Sequence, residues 1–548
     1  MNTHLERFAQ IAEILARHGL GFLAGTMGLE RWLPRHPLMP TEEPTSPVRL
    51  RLALEELGPT FIKLGQLLST RSDIMPAAYL SELSKLQDGA PPVSAEQIRS
   101  LIQQELGATP EQLFASFDDE PLASASIGQA HAATMADGTE IVVKVRRPGI
   151  VNRIDEDLEI LQNMAAHASR RWEAAADYNV AGIATEFAAT LRAELDYLRE
   201  GRSAERFAKN FSSDPSIYIP KIFWETTTSR VLTMERIRGI KVDNIEALDL
   251  AGINRGEVAE RAARAAAKMI FEDGFFHADP HPGNLFIQPG GRIALIDFGM
   301  VGEIDEKLRS QLGTLLFAFT SNDADKVSSA LRTISVTRPS VDRGVLRHDA
   351  ARFIQLYEGL ELREVQIAPL ITQMLAILRN HHLQLPREMA MLLKMVLMTE
   401  GMGVRLNPEF NLGEILRPYA KTLAQEKFSP RNLAERLSKA GLEAAELGMI
   451  LPEKLRTLFE NIDGGVEVHL RAEELEPLVG RVERIGNRLV AGMIAAAFIR
   501  GIGELTAADR ERLQTWQNPL MGAGLGAAGS LATYLVWTSR RKKYRGPR

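Results

Sequence analysis

Apolar side chains recur every three or four residues through the first 112 residues, which is the spacing of amphipathic helices. Near the N-terminus this spacing predicts a helix that packs on the core through Leu5, Phe8, Ile11, Ala12 and Leu15. Residues 48–70 carry a second apolar face, formed by Leu50, Leu54, Leu57, Phe61, Leu64 and Leu68. We therefore assign residues 1–112 to an N-terminal helical extension.

The pattern then changes to short runs that are typical of strands. Such runs cover residues 114–117, 129–134 and 140–145, and Asp137-Gly138 predicts a hairpin turn between the last two. Helical spacing returns over residues 151–210, and strand-like runs follow at 216–220, 221–224 and 230–234. From residue 245 to about residue 470 the pattern is helical, except for strands at 285–287 and 292–296. These elements predict a two-lobed α+β fold, with lobes over residues 113–240 and 241–470.

The C-terminal end has the character of a membrane segment. Residues 519–537 carry no charge, and a helix of this length measures about 28 Å, close to a bilayer core of about 30 Å. Tyr534 and Trp537 end the run and six basic residues follow, which predicts that this end is cytoplasmic. A shorter apolar run at residues 489–499 predicts the other arm of a transmembrane hairpin. The hairpin is assigned to residues 486–540, after a linker at 471–485 and before a basic tail at 541–548.

This C-terminal segment has one alternative interpretation, and one of its features bears on the oligomeric state. A buried core helix rich in Gly and Ala is the alternative to a membrane helix. Gly522 and Gly526 have the spacing at which two membrane helices pack closely, which is compatible with a homodimer.

Composition excludes several classes of protein. The 548 residues are 45% hydrophobic and 25% charged, which is average for a folded chain and excludes disordered or collagen-like sequences. The net charge of −5 gives no general footprint for nucleic acid, so we expect no nucleic-acid partner. There is no cysteine, which removes disulfides, thiolate catalysis and cysteine-bound metal centres.

The segment at residues 277–284, His-Ala-Asp-Pro-His-Pro-Gly-Asn, carries the most specific chemistry. A strand hairpin separates it from Asp297-Phe298-Gly299, so Asn284 and Asp297 can converge on one cation. Their oxygen atoms suit magnesium, and Asp279 is then placed as a base or charge stabiliser beside the metal. This is the layout of kinase phosphoryl-transfer sites. A zinc site at His277 and His281 is disfavoured because Pro280 and Pro282 exclude a regular helix.

A lysine for the nucleotide phosphates is expected upstream, at Lys144 in the strand at 140–145. Its counter-ion is expected on a following helix, where Glu194, Asp196 and Glu200 are candidates. The alternative for Lys144 is a solubilising residue on an edge strand. The segment at residues 121–129 stands where kinases have a glycine-rich phosphate loop, but it is rich in Ala and Ser and has one glycine. An alanine Cβ would hinder close approach of the backbone to a phosphate.

Taken together, these segments resemble the UbiB family of atypical kinase-like proteins, bacterial relatives of mitochondrial proteins that support coenzyme Q synthesis. Residues 57–73 are similar to the family's K-x-G-Q signature, with Lys63 and Gln66 at its defining positions. The alanine-rich loop at residues 123–128, Glu194-Leu195-Asp196 as an E-x-D motif, and the two metal-loop segments follow in order. The resemblance extends from about residue 48 to about residue 410.

The resemblance implies an ATP–Mg²⁺ site. Asp279, Lys144 and Lys63 are then catalytic, and Asn284 and Asp297 hold the metal. The implied nucleotide-binding residues are Ala123, Ser124, Ala125, Ser126, Ile127, Gly128, Lys144, Glu200, Met234 and Glu235. The implied gate folds the K-x-G-Q helix over the pocket, covering the surface where a protein substrate docks. Its residues are Lys63, Gln66, Glu194 and Asp196, with Lys63 paired to the E-x-D carboxylates.

The function implied by the resemblance is a membrane-associated atypical kinase or ATPase that supports ubiquinone-type biosynthesis by coupling ATP hydrolysis to the handling of lipid precursors. Its expected partners are membrane lipids, quinone precursors and quinone-biosynthesis proteins. We expect the body and the basic tail on the cytoplasmic side of the cytoplasmic membrane. Two alternatives are a small-molecule kinase of the aminoglycoside or choline kinase type and a nucleotide-sensing, lipid-binding scaffold without turnover.

Overall fold

A computed structural model describes residues 2–21, 25, 46–86, 89–172, 175, 178–320, 323–336, 341–357 and 366–427. The linker, the transmembrane hairpin and the basic tail that the sequence predicts over residues 471–548 lie outside the described residues. Among the helices of the described part, none combines the length and the apolar character needed to cross a bilayer.

The N-terminal extension is helical, as its apolar spacing predicts. Its helices are α1 (Asn2–Arg17), α2 (Pro47–Leu57), α3 (Pro59–Ser69) and α4 (Ala77–Leu83). Each contributes to one buried cluster, through Ile11, Leu54, Phe61 and Leu83 respectively. The continuous face predicted over residues 48–70 is wrong in one respect, because the chain breaks at Gly58. This glycine has φ 100°, and Pro59 then starts α3 at a position where its missing N–H is not needed.

The first lobe combines an antiparallel sheet with helices. Its elements are α5 (Ala95–Leu106), α6 (Pro110–Leu113), β1 (Ser116–Ser124), β2 (Gly128–Thr134), β3 (Glu140–Arg146), α7 (Ile150–Arg171), α8 (Val180–Glu194), α9 (Tyr197–Asn210), β4 (Ile217–Tyr218) and β5 (Val231–Glu235). The strand order is β1-β2-β3-β5. Alternation along β3 buries Ile141, Val143 and Val145 in a cluster with residues of α5. Lys144 therefore lies on the opposite face of the sheet.

Small strands follow before the helical part of the second lobe. They are β6 (Ile240–Lys241), β7 (Phe275–His277), β8 (Leu285–Gln288), β9 (Arg292–Leu295) and β10 (Val301–Glu303), with helices α10 (Ile245–Leu250) and α11 (Arg255–Phe271) between β6 and β7. One sheet has the order β4-β9-β8-β6, and β10 pairs with β7. The hairpin predicted over residues 285–296 is present as β8 and β9. The strand predicted at residues 221–224 is wrong, since this run forms a single bridge from Ile222 to Met234.

The remaining described helices complete the second lobe. They are α12 (Glu306–Thr320), α13 (Ala324–Ile334), α14 (Arg343–Gln355), α15 (Ile367–Asn380), α16 (Arg387–Leu406) and α17 (Leu412–Lys427). Helix α16 packs against α11 beneath the small sheet. Its long buried face joins the largest apolar cluster within the described residues, which also contains Phe207 of α9 and Phe298. The apolar core of the second lobe thereby includes a residue of α9, the helix that carries Glu200.

The extension contacts both lobes. Arg71, after α3, forms a buried ion pair with Asp73 at 2.9 Å. The carboxylate of Asp73 accepts the backbone N–H of Leu385 at 3.0 Å, just before α16. On the other side, Arg7 of α1 donates to Asp157 of α7 at 2.7 Å. The extension is thus fixed at both ends by buried polar contacts.

Replacing Arg7 tests how much this anchoring contributes to stability. Arg7→Met leaves the buried carboxylate of Asp157 with Thr60, which donates at 2.6 Å, but without its cation. Breaking a buried ion pair on one side costs about 3–5 kcal/mol. We expect a clear fall in Tm, measured by thermal unfolding at neutral pH.

Arg17→Met is the matched control, since Arg17 lies on the same helix, is 56% exposed and pairs with Glu56 at 2.8 Å. An exposed pair contributes about 0–1 kcal/mol, so its Tm should barely change. Equal shifts in the two variants would contradict the anchoring role of the Arg7–Asp157 pair.

Candidate nucleotide and metal site

The Asp-Phe-Gly segment follows β9 and is held in place by buried aromatic rings. Phe298 is 1% exposed, and its ring centroid lies 5.6 Å from that of Phe207 on α9. Asp297 accepts the backbone N–H of Gly299 at 2.9 Å through Oδ1. Burial of Phe298 therefore fixes the position of the Asp297 carboxylate, which is 44% exposed.

Lys144 forms an ion pair with Glu200, one of the three candidate partners that the sequence left open. Lys144 Nζ lies 2.5 Å from Glu200 Oε1 and 3.9 Å from Asp297 Oδ2. Glu200 Oε1 also accepts the backbone N–H of Phe298 at 3.5 Å. Of the three candidate partners on the helices, Glu200 is the one the structure brings to Lys144.

The charges in this cluster shift one another's pKa values. Burial opposes ionisation of Lys144, but Asp297 and Glu200 outweigh it and raise the pKa of the ammonium above its ordinary value. Burial also opposes ionisation of Asp297. Lys144, the Gly299 N–H and Lys63 outweigh it and lower the pKa of Asp297 to about 2. Burial raises the pKa of Glu200, and Lys144 acts against this. The carboxylate of Asp297 is thus ionised at neutral pH.

His277 links the segment at residues 277–284 to the Asp297-Phe298-Gly299 segment. Its Nδ1 accepts the backbone N–H of Asp279 at 3.2 Å, so its proton resides on Nε2, which donates to the carbonyl of Asp297 at 2.5 Å. Burial lowers the pKa of the ring, consistent with a neutral imidazole. Asn284 adds a further link by donating from Nδ2 to the carbonyl of Asp279 at 3.3 Å.

Asp279 has a cationic partner that sequence reasoning missed. Lys394 Nζ on α16 lies 2.8 Å from Asp279 Oδ1, and His281 Nε2 lies 3.8 Å from Oδ2. The signal was available, because Lys394 is the one charge in the apolar run at residues 389–398. A lone lysine within a buried helix face needs a carboxylate partner, but the pattern did not say which carboxylate.

The donor set at this site suits magnesium. Asn284 and Asp297 offer an amide and a carboxylate oxygen, and Mg²⁺ commonly takes one or two protein oxygens together with phosphate and water. Within the described residues, no cluster of three or more His, Asp or Glu side chains could hold a metal on its own. A cation here would therefore depend on ligand oxygens besides those of the protein.

The alanine-rich loop between β1 and β2 is held by an arginine. Arg147 donates at 2.8 Å to the carbonyl of Ala125, to the hydroxyl of Ser124 and to the carbonyl of Pro91. Gly128, the single glycine of the loop, leaves space for the side chain of Tyr197. A Cβ at this position would lie 2.2 Å from the Tyr197 hydroxyl. Ala123 belongs to β1, while Ser126 is buried and Ile127 packs against a cluster of α7 and α8.

Met234 and Glu235 end β5 next to β3. Met234 is buried, and its backbone pairs with Val142 in β3. The carboxylate of Glu235 is engaged, because it accepts the hydroxyl of Tyr218 at 2.6 Å. Their backbone thus borders the sheet that carries Lys144.

The structure forms one of the contacts that the resemblance implies for the gate. Lys63 Nζ on α3 lies 3.3 Å from Glu194 Oε2, at the end of α8. Asp196 has a different role from the one expected, since its carboxylate caps α9 by accepting the N–H of Leu198 at 3.1 Å. Gln66 donates to the carbonyl of Leu86 at 3.1 Å and so holds α3 to its own extension. Gly65 allows α3 to pack closely, because a Cβ there would lie 2.2 Å from Leu86.

The fold and this arrangement of charged groups define an atypical protein-kinase-like protein. A family model described as the ABC1 atypical kinase-like domain matches residues 85–331. The UbiB helical domain matches residues 350–411, and the ABC1/UbiB kinase-like C-terminal domain matches residues 473–541.

Curated relatives agree with the family models. The chain is 31% identical over 546 residues to a probable protein kinase UbiB of Xylella fastidiosa, covering 97% of this chain and 99% of the relative. A probable protein kinase UbiB of Xanthomonas oryzae is 32% identical over 553 residues, with the same coverage. An uncharacterized protein of Synechocystis is 35% identical over 440 residues, covering 79% of this chain and 75% of the relative. The chain therefore belongs to the UbiB family of atypical kinase-like proteins, which confirms the resemblance seen in its motifs.

A solved structure was also found to be similar. It is the Rv3197 protein of Mycobacterium tuberculosis, described as a complex with erythromycin. The likeness has a TM-score of 0.47 and 24% sequence identity, and covers 66% of this chain and 92% of that one.

Removing the cation beside Glu200 should make stability depend on pH. In Lys144→Met, Glu200 stays buried without its partner, and its pKa rises further above the ordinary value of 4.5. As the pH rises through that value, the unfolded state ionises first, so stability falls until the raised folded pKa is passed. We expect the Tm of Lys144→Met to fall more steeply than that of the wild type as the pH rises above the ordinary carboxyl pKa of 4.5.

The double variant Lys144→Met/Glu200→Gln is the control, because it removes the titrating carboxyl together with its partner. Its Tm should fall less steeply with rising pH than that of Lys144→Met, because the raised carboxyl is no longer present. A double variant as steep as Lys144→Met would show that another group is responsible.

Proposed function

We propose that this protein is a membrane-associated atypical kinase-like ATPase that binds Mg-ATP and supports isoprenoid quinone biosynthesis of the ubiquinone type. The observation that carries the proposal is the contact of Lys144 with both Glu200 and Asp297. A phosphate-binding lysine and a metal-binding carboxylate in one cluster are the essential parts of a kinase site.

In the proposed mechanism, each residue has a separate task. Mg-ATP would supply the phosphoryl group and the cation that offsets its charge. Glu200 orients Lys144 towards the nucleotide phosphates, and Asn284 and Asp297 would hold the metal. Asp279 lies beside them to orient or deprotonate the acceptor. Lys394, which contacts Asp279 at 2.8 Å, would position that carboxylate and add a positive charge where negative charge develops.

Water is the proposed phosphoryl acceptor. Lys63 of the extension pairs with Glu194 and also lowers the pKa of Asp297, so the extension reaches the metal-binding carboxylate. After Gly299 the chain enters β10 at once and then α12 at Glu306, so this segment offers no docking platform for a protein substrate. Both features support a site that a small acceptor can enter and a protein substrate cannot.

Quinone biosynthesis is proposed from family membership, and membrane association from the sequence. The apolar run at residues 519–537 and the basic residues after it support anchoring with the body on the cytoplasmic side. ATP hydrolysis at the membrane would then be coupled to the handling of lipid precursors. Membrane lipids, quinone precursors and other quinone-biosynthesis proteins are the proposed partners.

Replacing the metal ligand tests the nucleotide assignment. Wild-type protein should gain thermal stability with Mg-ATP, because a ligand that binds the folded state raises Tm. Asp297→Asn should lose this gain, since the amide carries no charge for the cation. Asp249→Asn, at an exposed position on α10, is the control and should keep it. A full response in Asp297→Asn would refute the metal assignment.

The same proteins then test turnover. Phosphate release from ATP should be measured with vesicles and a phenolic quinone precursor. Release by the wild type and its loss in Asp297→Asn would support the ATPase. A labelled phosphorylated precursor would instead favour the small-molecule kinase, and binding without any turnover would favour the scaffold.

Lys394 should affect turnover more than binding. Lys394→Met removes a positive charge next to Asp279, and loss of one such stabilising group lowers kcat by about 100-fold in other enzymes. We expect a large fall in the rate of phosphate release with the thermal response to Mg-ATP retained. Lys326→Met, at a 51% exposed position on α13, is the control. An unchanged kcat in Lys394→Met would contradict a catalytic contribution from Lys394.

A further inference from the structure

A stripe of polar residues runs along one face of α9. Arg199, Arg202, Ser203 and Arg206 recur at the spacing that places side chains on one helix face. Together with β10 and the start of α16, where Arg387 lies, they line a groove of about 360 Å³. We name it the arginine groove. It is separate from the cluster of Lys144, Glu200 and Asp297.

The charges of the arginine groove are not balanced. Arg206 pairs with Glu303 and stacks over the ring of Phe275 at 3.9 Å, so it has a structural role. Arg387 Nε lies 4.0 Å from Glu186, at the limit of an ion pair. Within the described part of the chain, Arg199 and Arg202 form no ion pair with a carboxylate.

The lining therefore holds four guanidinium groups and the two carboxylates of Glu303 and Glu388. A concave surface with excess positive charge raises the local concentration of anions. Guanidinium groups bind phosphate oxygens through two parallel hydrogen bonds, which ammonium groups cannot do. The chemistry of the groove thus fits a phosphate or diphosphate group.

The position of the groove connects it to the nucleotide site. Helix α9 carries Glu200 one residue after Arg199, and α16 carries Lys394 two turns after Arg387. The third wall, β10, begins two residues after Gly299. An anion held between α9 and α16 would join the two helices that orient Lys144 and Asp279.

We propose that the arginine groove binds a phosphate-bearing ligand, and that its occupancy favours the arrangement in which Lys144 pairs with Glu200. A ligand that binds this arrangement more tightly than others shifts the population towards it. The site goes beyond the proposed ATPase function, since it lies outside the nucleotide cleft and acts as a second, regulatory site.

The test uses the full chain and inorganic pyrophosphate as the soluble probe. Thermal unfolding is followed with increasing pyrophosphate, at constant ionic strength and with saturating Mg-ADP to occupy the nucleotide cleft. We expect pyrophosphate to raise the Tm of the wild type. Arg199→Gln/Arg202→Gln should weaken the apparent affinity about tenfold or more, because it removes two charged hydrogen-bond donors.

Arg264→Gln is the matched control, since Arg264 is 69% exposed on α11, outside the groove. It should respond to pyrophosphate as the wild type does. The response of the double variant to Mg-ATP alone reports folding and nucleotide binding. A lost response to Mg-ATP would therefore count against the proposed nucleotide binding, and a lost response to pyrophosphate would count against the groove.

A second arm distinguishes a lipid headgroup from a soluble phosphate. Phosphate release and Tm are compared in vesicles of phosphatidylcholine with and without phosphatidylglycerol. A response confined to phosphatidylglycerol and lost in the double variant would assign the groove to a lipid headgroup. A response to pyrophosphate lost in the same variant would assign it to a soluble ligand. Equal responses of wild type and double variant, or no response of the wild type to either probe, would overturn the proposal.

Discussion

The arrangement of the site depends on one buried carboxylate, that of Glu200. A carboxylate that is 7% exposed is unfavourable unless a cation and hydrogen-bond donors reach it. Lys144 supplies the cation from the sheet, and the Phe298 N–H supplies a donor from the Asp297-Phe298-Gly299 segment. The sheet, helix α9 and the Asp-Phe-Gly segment must therefore come together at one point. The cap of Asp196 and the packing of Tyr197 against Gly128 set the start of that helix.

The N-terminal extension restrains this arrangement from outside. It is attached to α7 through Arg7, to the end of α8 through Lys63, and to the entry of α16 through Asp73. Because these anchors belong to both lobes, relative motion of the lobes must strain or break at least one of them. The K-x-G-Q segment thus combines Lys63, whose charge acts on Asp297, with a structural connection between the lobes. Its glycine serves the second purpose, by letting α3 pack against Leu54 and Leu86.

Site residues could be predicted from the sequence where their chemical type and their local spacing point to the same role. Lys144 stands alone in a strand of apolar residues, and the hairpin between Asn284 and Asp297 brings two oxygen ligands together, so both followed from local pattern. Lys394 could not be assigned, because its partner is 115 residues away and only tertiary packing brings them together. Strands such as β7 and β10 have three residues each and are too short to show alternation. The break at Gly58-Pro59 is present in the sequence, but the apolar spacing continues across it, so the spacing alone does not show where one helix ends and the next begins.

The way Arg147 holds the alanine-rich loop has a consequence for nucleotide exchange. Flexible glycine-rich loops in other kinases open and close like a flap over the phosphates. Here one guanidinium fixes the loop to its own backbone, to a serine hydroxyl and to the segment before α5. These three hydrogen bonds restrain the loop, so under the proposed function a spent nucleotide would leave by separation of the lobes. The lifetime of the product complex would then depend on how firmly the extension holds the two lobes together.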